Sequence, residues 1–254
     1  MQIIAFKTTN YMTPFQFKEF SVHQDRCAMK IGTDAVLLGA WTSIDKDPFS
    51  ILDIGSGTGI LALMLAQRSD AGSIDALEID DEAYEQCVEN FENSPWADRL
   101  FCYHASLEEL VDDLLDGQEA IDETYDLILS NPPFYSEDYK TESNQRDMAR
   151  FEDAMPFDHL VESVSHLLSK EGSFSVIIPF KEEGHFMALA SKVNLFPNRV
   201  LQVKGNPSSD LKRSLIEFSF RKTEIERKEL IIETSRHQYT PDYINLTKDF
   251  YLKM

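Results

Sequence analysis

A chain of 254 residues and 29.1 kDa, 43% apolar and 27% charged, has the length and core-forming content of one large α/β domain or two small ones. No stretch approaches the run of about 18 apolar residues needed to cross a membrane, and Met1–Asn10, with a single lysine and no long apolar run, does not read as a secretory signal. Cys27, Cys87 and Cys102 form no C-x-x-C pair, which argues against a disulfide scaffold or zinc ribbon and for a reducing cytoplasm. The net charge of −20 speaks against nucleic acid until it is divided along the chain. Residues 1–40 carry +1, residues 41–170 carry −23 and residues 171–254 carry +2, so basic groups outside the middle segment remain available for a local patch.

The predicted elements alternate. Ala35–Trp41 reads as a buried helix. Ser50–Ile54 is a short apolar strand ending in glycines, followed by a helix over Ile60–Arg68. A second strand covers Ser73–Ile79, and a helix over Asp81–Asn93 is stopped by Ser94-Pro95. Strand Leu100–His104, acidic helix Leu107–Leu115 and strand Tyr125–Ser130 follow, the last ended by Asn131-Pro132-Pro133. Ser136–Asp153 is polar without apolar periodicity. Helix Phe157–Leu168, strand Phe174–Pro179, helix Glu182–Val193 and strand Val200–Lys204 resume the pattern, with Ser214–Phe220 as the last strand. Tyr239–Met254 is expected to pack as a terminal element, with Phe250 and Tyr251 in the core. Such alternation predicts an α/β fold, a mostly parallel central sheet with helices on both faces, whose ligands bind at the carboxyl ends of the strands. The expected organisation is one domain over residues 1–254, with residues 1–45 as an N-terminal extension packed on the core.

Asp53-Ile54-Gly55-Ser56-Gly57-Thr58-Gly59 falls at a strand-to-helix turn, where glycines allow a sharp turn and close approach of a ligand. Read from Gly55, the dinucleotide fingerprint G-x-G-x-x-G fails at Ile60. Read from Gly57, it survives only in the form ending in alanine, at Ala62. The Gly-Lys-Ser/Thr ending of a phosphate loop is missing, and the loop holds no lysine or arginine. It suits a ligand without a pyrophosphate. Glu78, 21 residues after Gly57 at the end of the second strand, is placed to accept hydrogen bonds from ribose hydroxyls. Together, a glycine loop led by Asp53 and an acid at Glu78 resemble the S-adenosylmethionine site of the Rossmann-like methyltransferases. That resemblance implies Asp53, Gly55, Gly57, Gly59 and Glu78 as cofactor contacts. Where the family often has an acid for the adenine amine, Ala105-Ser106 stands here, leaving Ser106 as the candidate.

Asn131-Pro132-Pro133-Phe134 follows the fourth strand, at the same sheet edge as the glycine loop. Taken alone it is a strand terminator; after three glycines and Glu78 at other strand ends it acquires a chemical meaning. A base or amide nitrogen is a poor nucleophile because its lone pair is delocalised. The Asn131 side-chain oxygen and the Pro132 carbonyl can both accept hydrogens from one NH₂ group, localising the lone pair and stabilising the positive charge that develops. Two prolines stiffen the turn, and Phe134 can stack on a planar substrate, an interaction worth about 1–3 kcal/mol. The turn resembles the Asn-Pro-Pro-aromatic motif of amino-methyltransferases, which act on adenine N6, guanine N2 or a glutamine amide. Phe in place of the commoner Tyr keeps stacking and removes a hydroxyl.

Three further stretches, 25–41 (Asp25-Arg26-Cys27 through Gly39-Ala40-Trp41), 90–99 with Ser94-Pro95-Trp96, and 246–253, are similar to the bacterial tRNA(Val) adenine-N6 methyltransferases. This resemblance implies S-adenosylmethionine as cofactor, tRNA as partner, and the adenine just 3′ of the anticodon as target. Asn131, Pro132 and Phe134 would then be catalytic, and Pro133, Tyr135, Arg146, Arg150 and Lys30 would contact substrate. Thr33 and Asp34 either reach the cofactor or cap a helix. Lys7, Lys18, Arg26, Lys140, Lys212 and Arg213 are further candidates for RNA contact, each equally readable as a solvated charge. The six histidines show no metal-ligand spacing and no apolar run is long enough to span a bilayer, so neither a metal nor a membrane partner is expected; a monomer is. Guanine-N2, glutamine-amide and DNA adenine methyltransferases, a non-catalytic binding scaffold and a nicotinamide oxidoreductase are the rival readings.

Overall fold

The computed structural model describes residues 13–116, 124–133 and 155–254. The elements in chain order are β1 (Phe15–Gln16), β2 (Ser21–Val22), α1 (Thr33–Trp41), β3 (Ser50–Ile54), α2 (Ile60–Arg68), β4 (Ser73–Glu78), α3 (Asp81–Glu92), β5 (Leu100–His104), α4 (Leu107–Asp116) and β6 (Tyr125–Ser130). These are followed by α5 (Phe157–Leu167), β7 (Leu168–Pro179), α6 (Glu183–Lys192), β8 (Phe196–Lys204), β9 (Leu211–Ser219), β10 (Glu226–Ile231), β11 (Glu233–Ser235), β12 (Gln238–Tyr239) and α7 (Pro241–Thr247). Eight strands form one sheet in the order β10-β8-β9-β7-β6-β3-β4-β5, every neighbouring pair parallel except those of β9. The predicted mostly parallel α/β sheet is therefore the observed one.

Strand alternation divides the core. Ile51, Ile74, Ala76, Leu127 and Leu129 face α1, α2, α3 and α7, whereas Leu52, Ile54, Leu77 and Ile128 face α5 and α6. Helix α1 is buried all round from Ala35 to Ala40, which is why its sequence shows almost no polar face. It belongs to the core although it lies within the first 45 residues. Arg68 at the end of α2 donates to the carbonyls of Gly39 and Thr42 (2.6 and 2.8 Å) at the end of α1. The two helices therefore run side by side in the same direction, and Thr33 starts α1 at the end where α2 leaves the glycine loop.

The chain termini meet. Phe17 bridges to Tyr251, Phe20 packs edge-on to Trp96, and Phe250 is buried as expected, with Tyr251 partly so. The three stretches that carry the family resemblance are thus largely scaffold.

Ser214–Phe220 is not the last strand: β9 is followed by β10, which pairs parallel to β8 at the sheet edge. Its first four residues, Glu226-Arg227-Lys228-Glu229, are exposed, the charged surface that protects an edge strand and that hides it from a search for apolar runs. Strand β7 begins six residues earlier than Phe174, at Leu168, through a polar segment containing Gly172 whose register against β6 is irregular.

Buried Glu183 ties this edge down, accepting from Ser214 Oγ (2.6 Å), Gln202 Nε2 (2.9 Å) and Arg227 (2.7 Å). Burial alone would raise its pKa; the three hydrogen bonds and the Arg227 charge outweigh this and hold it below the ordinary 4.5. A depressed carboxylate stabilises the fold above the unfolded-state value and ceases to do so as pH falls through the folded one. Glu183→Ala, which strands three donors, is expected to cost about 2–4 kcal/mol at neutral pH. The deficit, read by denaturant unfolding, should shrink below pH 4.

The carboxyl edge of the sheet is stepped. Leu77, Ile54, Ser130 and Val176 are level with one another across β4, β3, β6 and β7. Beyond that level β7 continues to Pro179, and β8, level at Val200, continues to Lys204. Strands β4, β3 and β6 form a low ledge beside this taller wall.

Candidate active site

Strand β3 is the point where the strand order reverses: the chain proceeds outward from it through β4 and β5 on one side and through β6 and β7 on the other. Such a reversal opens a crevice at the carboxyl ends. The glycine loop leaves β3 and the Asn131 turn leaves β6, adjacent strands in which Ile54 pairs with Ser130. The Ser130 hydroxyl donates to the Ile54 carbonyl at 3.1 Å, clamping the two strand ends together. Gly55 and Asn131 are therefore both the first residue past the same level of the sheet, on adjacent strands.

Gly55, Gly57 and Gly59 all have positive φ (73°, 55° and 77°), which other residues adopt only under strain. A Cβ at Gly55 or Gly57 would meet nothing within 4 Å, whereas one at Gly59 would strike Phe91 and Cys87 of α3. The loop is thus packed behind and open in front. Asn90 of α3 holds it from below, donating to the carbonyls of Thr58 and His23 (both 2.9 Å) and accepting the His23 N–H. Through His23 and Gln86, which accepts the Arg26 N–H, the segment before α1 is fastened to α3 beside the loop. Cys27 lies in that segment; burial and then the neighbouring carboxylates of Glu78 and Asp80 push its thiol up to about 12.

Glu78 is buried, its Oε2 accepting the Gly57 N–H at 2.7 Å and its Oε1 accepting the N–H groups of Ile79 and Asp80 at 2.9 Å. Three of a carboxylate's roughly four acceptor positions serve the backbone, so Glu78 shapes the loop before it holds anything else. Asp53 is wholly buried beneath the loop. One of its oxygens accepts the Ala62 N–H at 3.3 Å and the other, Oδ1, has no partner among the described residues. Burial foremost, with the Glu78 charge, raises its pKa to about 7 despite the Ala62 hydrogen bond.

A cleft of about 540 Å³ opens in front of the loop, lined by Gly55, Glu78 and Ile79, by Ser106 and Leu107, and across from them by Met155, His159 and His166 of the α5 segment. Ile79, 60% exposed, and the two histidines were not singled out by the sequence; an apolar residue directly after a strand-end acid was the available signal for Ile79. Ser106 lines the cleft, but its hydroxyl accepts the Glu109 N–H while Glu109 accepts the Ser106 N–H, a reciprocal cap on α4. The capping reading of Thr33 and Asp34 is overturned: Gly32 is the N-cap of α1, with no side-chain cap, and Asp34 pairs with Arg213 at 2.7 Å. Thr33 is exposed at that helix start. Lys18 donates to the carbonyls of Lys248 and Met254, and Arg26 pairs with Glu85 and Glu89, so both work within the protein. Lys30 and Lys212 are exposed. Pro132 is buried, Asn131 half-buried and Pro133 exposed. Phe134, Tyr135, Arg146, Arg150, Lys7 and Lys140 lie outside the described residues. Among those described, no His, Cys, Asp or Glu cluster is arranged to hold a metal ion, and no helix is long and apolar enough to cross a membrane.

The residues present fit S-adenosylmethionine on two grounds: an orphaned buried carboxylate oxygen at Asp53 suits a cationic ligand, and the open glycine cradle offers no cation for a pyrophosphate. Fold and site together define a Rossmann-like methyltransferase. The family model "Methyltransferase small domain" matches residues 31–187. A tRNA1(Val) (adenine(37)-N6)-methyltransferase from Flavobacterium johnsoniae is 61% identical over 94% of this chain and 100% of its own, and one from Bacteroides fragilis is 46% identical over 94% and 98%. Among solved structures, a predicted O-methyltransferase from Agrobacterium tumefaciens superposes with a TM-score of 0.64 over 85% of this chain and 96% of its own, at 19% identity, a likeness of fold. The chain belongs to the tRNA1(Val) (adenine(37)-N6)-methyltransferase family.

Asp53→Asn separates two effects. Because the folded-state pKa lies above the ordinary 3.8, ionisation destabilises the free protein as pH rises from about 4 to about 7, by roughly 4 kcal/mol at full effect. The amide variant is expected to melt above wild type at pH 8, the gap closing towards pH 4. Its affinity for S-adenosylmethionine, measured by calorimetry, should fall about tenfold or more.

Proposed function

We propose that this protein methylates N6 of adenine 37 in tRNA1(Val), the base 3′ of the anticodon, using S-adenosylmethionine. The observation that carries the reading is the pairing of Ile54 with Ser130, which puts the Asn131 turn next to the glycine loop. When bound, S-adenosylmethionine supplies a methyl group activated by its sulfonium. Asp53, Gly55, Gly57, Gly59 and Thr33 form the cradle for its amino-acid end. Glu78 takes a ribose hydroxyl on its remaining acceptor position, and Ser106 lines the part of the cleft that receives the adenine. Asn131 and the Pro132 carbonyl accept the two amino hydrogens of the target, Phe134 stacks on its ring, and the proton leaves without a dedicated base. Pro133, Tyr135, Lys30, Arg146 and Arg150 contact the rest of the substrate. The protein works as a cytoplasmic monomer, one methyltransferase domain over residues 1–254 in which residues 13–45 pack with the core. Incubation with labelled S-adenosylmethionine and bulk unmodified tRNA, with nucleoside mass spectrometry, should yield N6-methyladenosine. N2-methylguanosine, or label only in protein, would replace this reading with one of its rivals.

A further inference from the structure

The polyanion that delivers the target base must lie on a strongly acidic protein, and the carboxyl edge of the sheet offers two unlike sides. On the β4–β5 side of Asn131 stand Glu78, Asp80, Asp81 and Glu82, with Glu108 and Asp112 on α4. A phosphate backbone laid there meets mainly carboxylates, the neighbouring Arg26 being paired with Glu85 and Glu89. On the opposite side the taller wall rises about four residues, about 13 Å, above the ledge on which Asn131 sits. Its crest is the β8–β9 loop together with the β11–β12 hairpin, joined by the hydrogen bond from the Glu233 N–H to the Gly205 carbonyl (2.9 Å). A groove of about 380 Å³ runs between loop and hairpin, lined by Asn206, Ser208, Thr234, Ser235 and Arg236 with Glu233. Lys212 is exposed at the start of β9, one residue from the Arg213–Asp34 pair that fixes the wall to α1. Arg236 and His237 are exposed at the hairpin tip, and Tyr239 is 39% exposed at its base. Asp210 and Glu233 are the acids of this crest, and Lys204 is paired with Glu229.

We propose that the wall formed by the β8–β9 loop and the β11–β12 hairpin is the docking surface for the RNA backbone next to the target base. The inference rests on the tRNA reading of the site. Four strand spacings, about 19 Å, separate β6 from β10, so the crest meets nucleotides flanking the target rather than the target itself. Lys212 and Arg236 bind phosphates, the Asn206 and Ser208 side chains add neutral hydrogen bonds to backbone oxygens, and Tyr239 offers a ring face to an unstacked base. RNA is thereby held on one side of the crevice, leaving the acidic side to the cofactor.

The test is the double charge reversal Lys212→Glu/Arg236→Glu, with Lys170→Glu as a control at the opposite, amino edge of the sheet. Affinity for unmodified tRNA should fall at least tenfold in the double variant. The slope of log K against log salt should flatten by about one for each phosphate that is no longer neutralised. S-adenosylmethionine affinity and melting temperature should stay at wild-type values, and the control should bind tRNA normally. Wild-type tRNA affinity and salt slope in the double variant would overturn the docking surface while leaving the methylation reading intact. Equal weakening by Lys170→Glu would also overturn it, because the effect would then be one of net charge. If wild-type enzyme methylates no tRNA at all, the underlying reading fails instead, a result distinct from either.

Discussion

Asn131→Ala is expected to reduce turnover about a thousandfold or more, with S-adenosylmethionine affinity nearly unchanged. In the proposed mechanism the side-chain oxygen acts only on the target amine. There it would localise the nitrogen lone pair and meet positive charge as it develops, an interaction stronger at the transition state than with bound substrate, so its loss is expected in kcat. The fold should not suffer: Asn131 lies past the end of β6 and the strand is fastened by Ser130, whose hydroxyl bonds Ile54. Single-turnover methyl transfer, with cofactor binding measured in parallel, checks both halves. Equal losses in cofactor affinity and turnover would move Asn131 from the chemistry to the cofactor cradle.

Glu78→Ala should fail the opposite way. Its carboxylate gathers the N–H groups of Gly57, Ile79 and Asp80, so its removal leaves three donors at the crevice floor without an acceptor and frees the glycine loop. Cofactor affinity is expected to fall about a hundredfold, with a stability loss of about 1–3 kcal/mol. At saturating cofactor, turnover should recover to within a few-fold of wild type. A Glu78→Ala protein that bound cofactor normally would show the loop to be held by its own glycine geometry. The contrast between the two variants matters more than either value, because the residues leave strands of one sheet edge yet are assigned to separate tasks.

Much of this arrangement is legible in the sequence. The apolar runs Ser50–Ile54 and Tyr125–Ser130, each ended by a chemically distinctive turn, place two motifs at one sheet edge, and their adjacency follows from the strand order. What escapes the sequence does so for physical reasons. β10 is charged because it is an edge, and β7 starts in a polar, glycine-containing segment that reads as a loop. Asp34 looks like a cap, but its partner Arg213 is 179 residues away, beyond any local signal. Ser106 sits at the predicted strand end, yet its hydroxyl is engaged by Glu109 three residues on, a capping pattern that the sequence does carry in Ser106-Leu107-Glu108-Glu109. Arg26 and Lys18 illustrate how little a lone basic residue says about RNA, since both are occupied within the protein.

The central claim, methylation of one particular adenine amine, is tested most directly with two transcripts of tRNA1(Val), one natural in sequence and one carrying guanine at position 37. Labelled S-adenosylmethionine and purified enzyme should place one N6-methyladenosine in the first, mapped to position 37, and no label in the second. Label incorporated equally into both transcripts, or found at another position in the first, would contradict it.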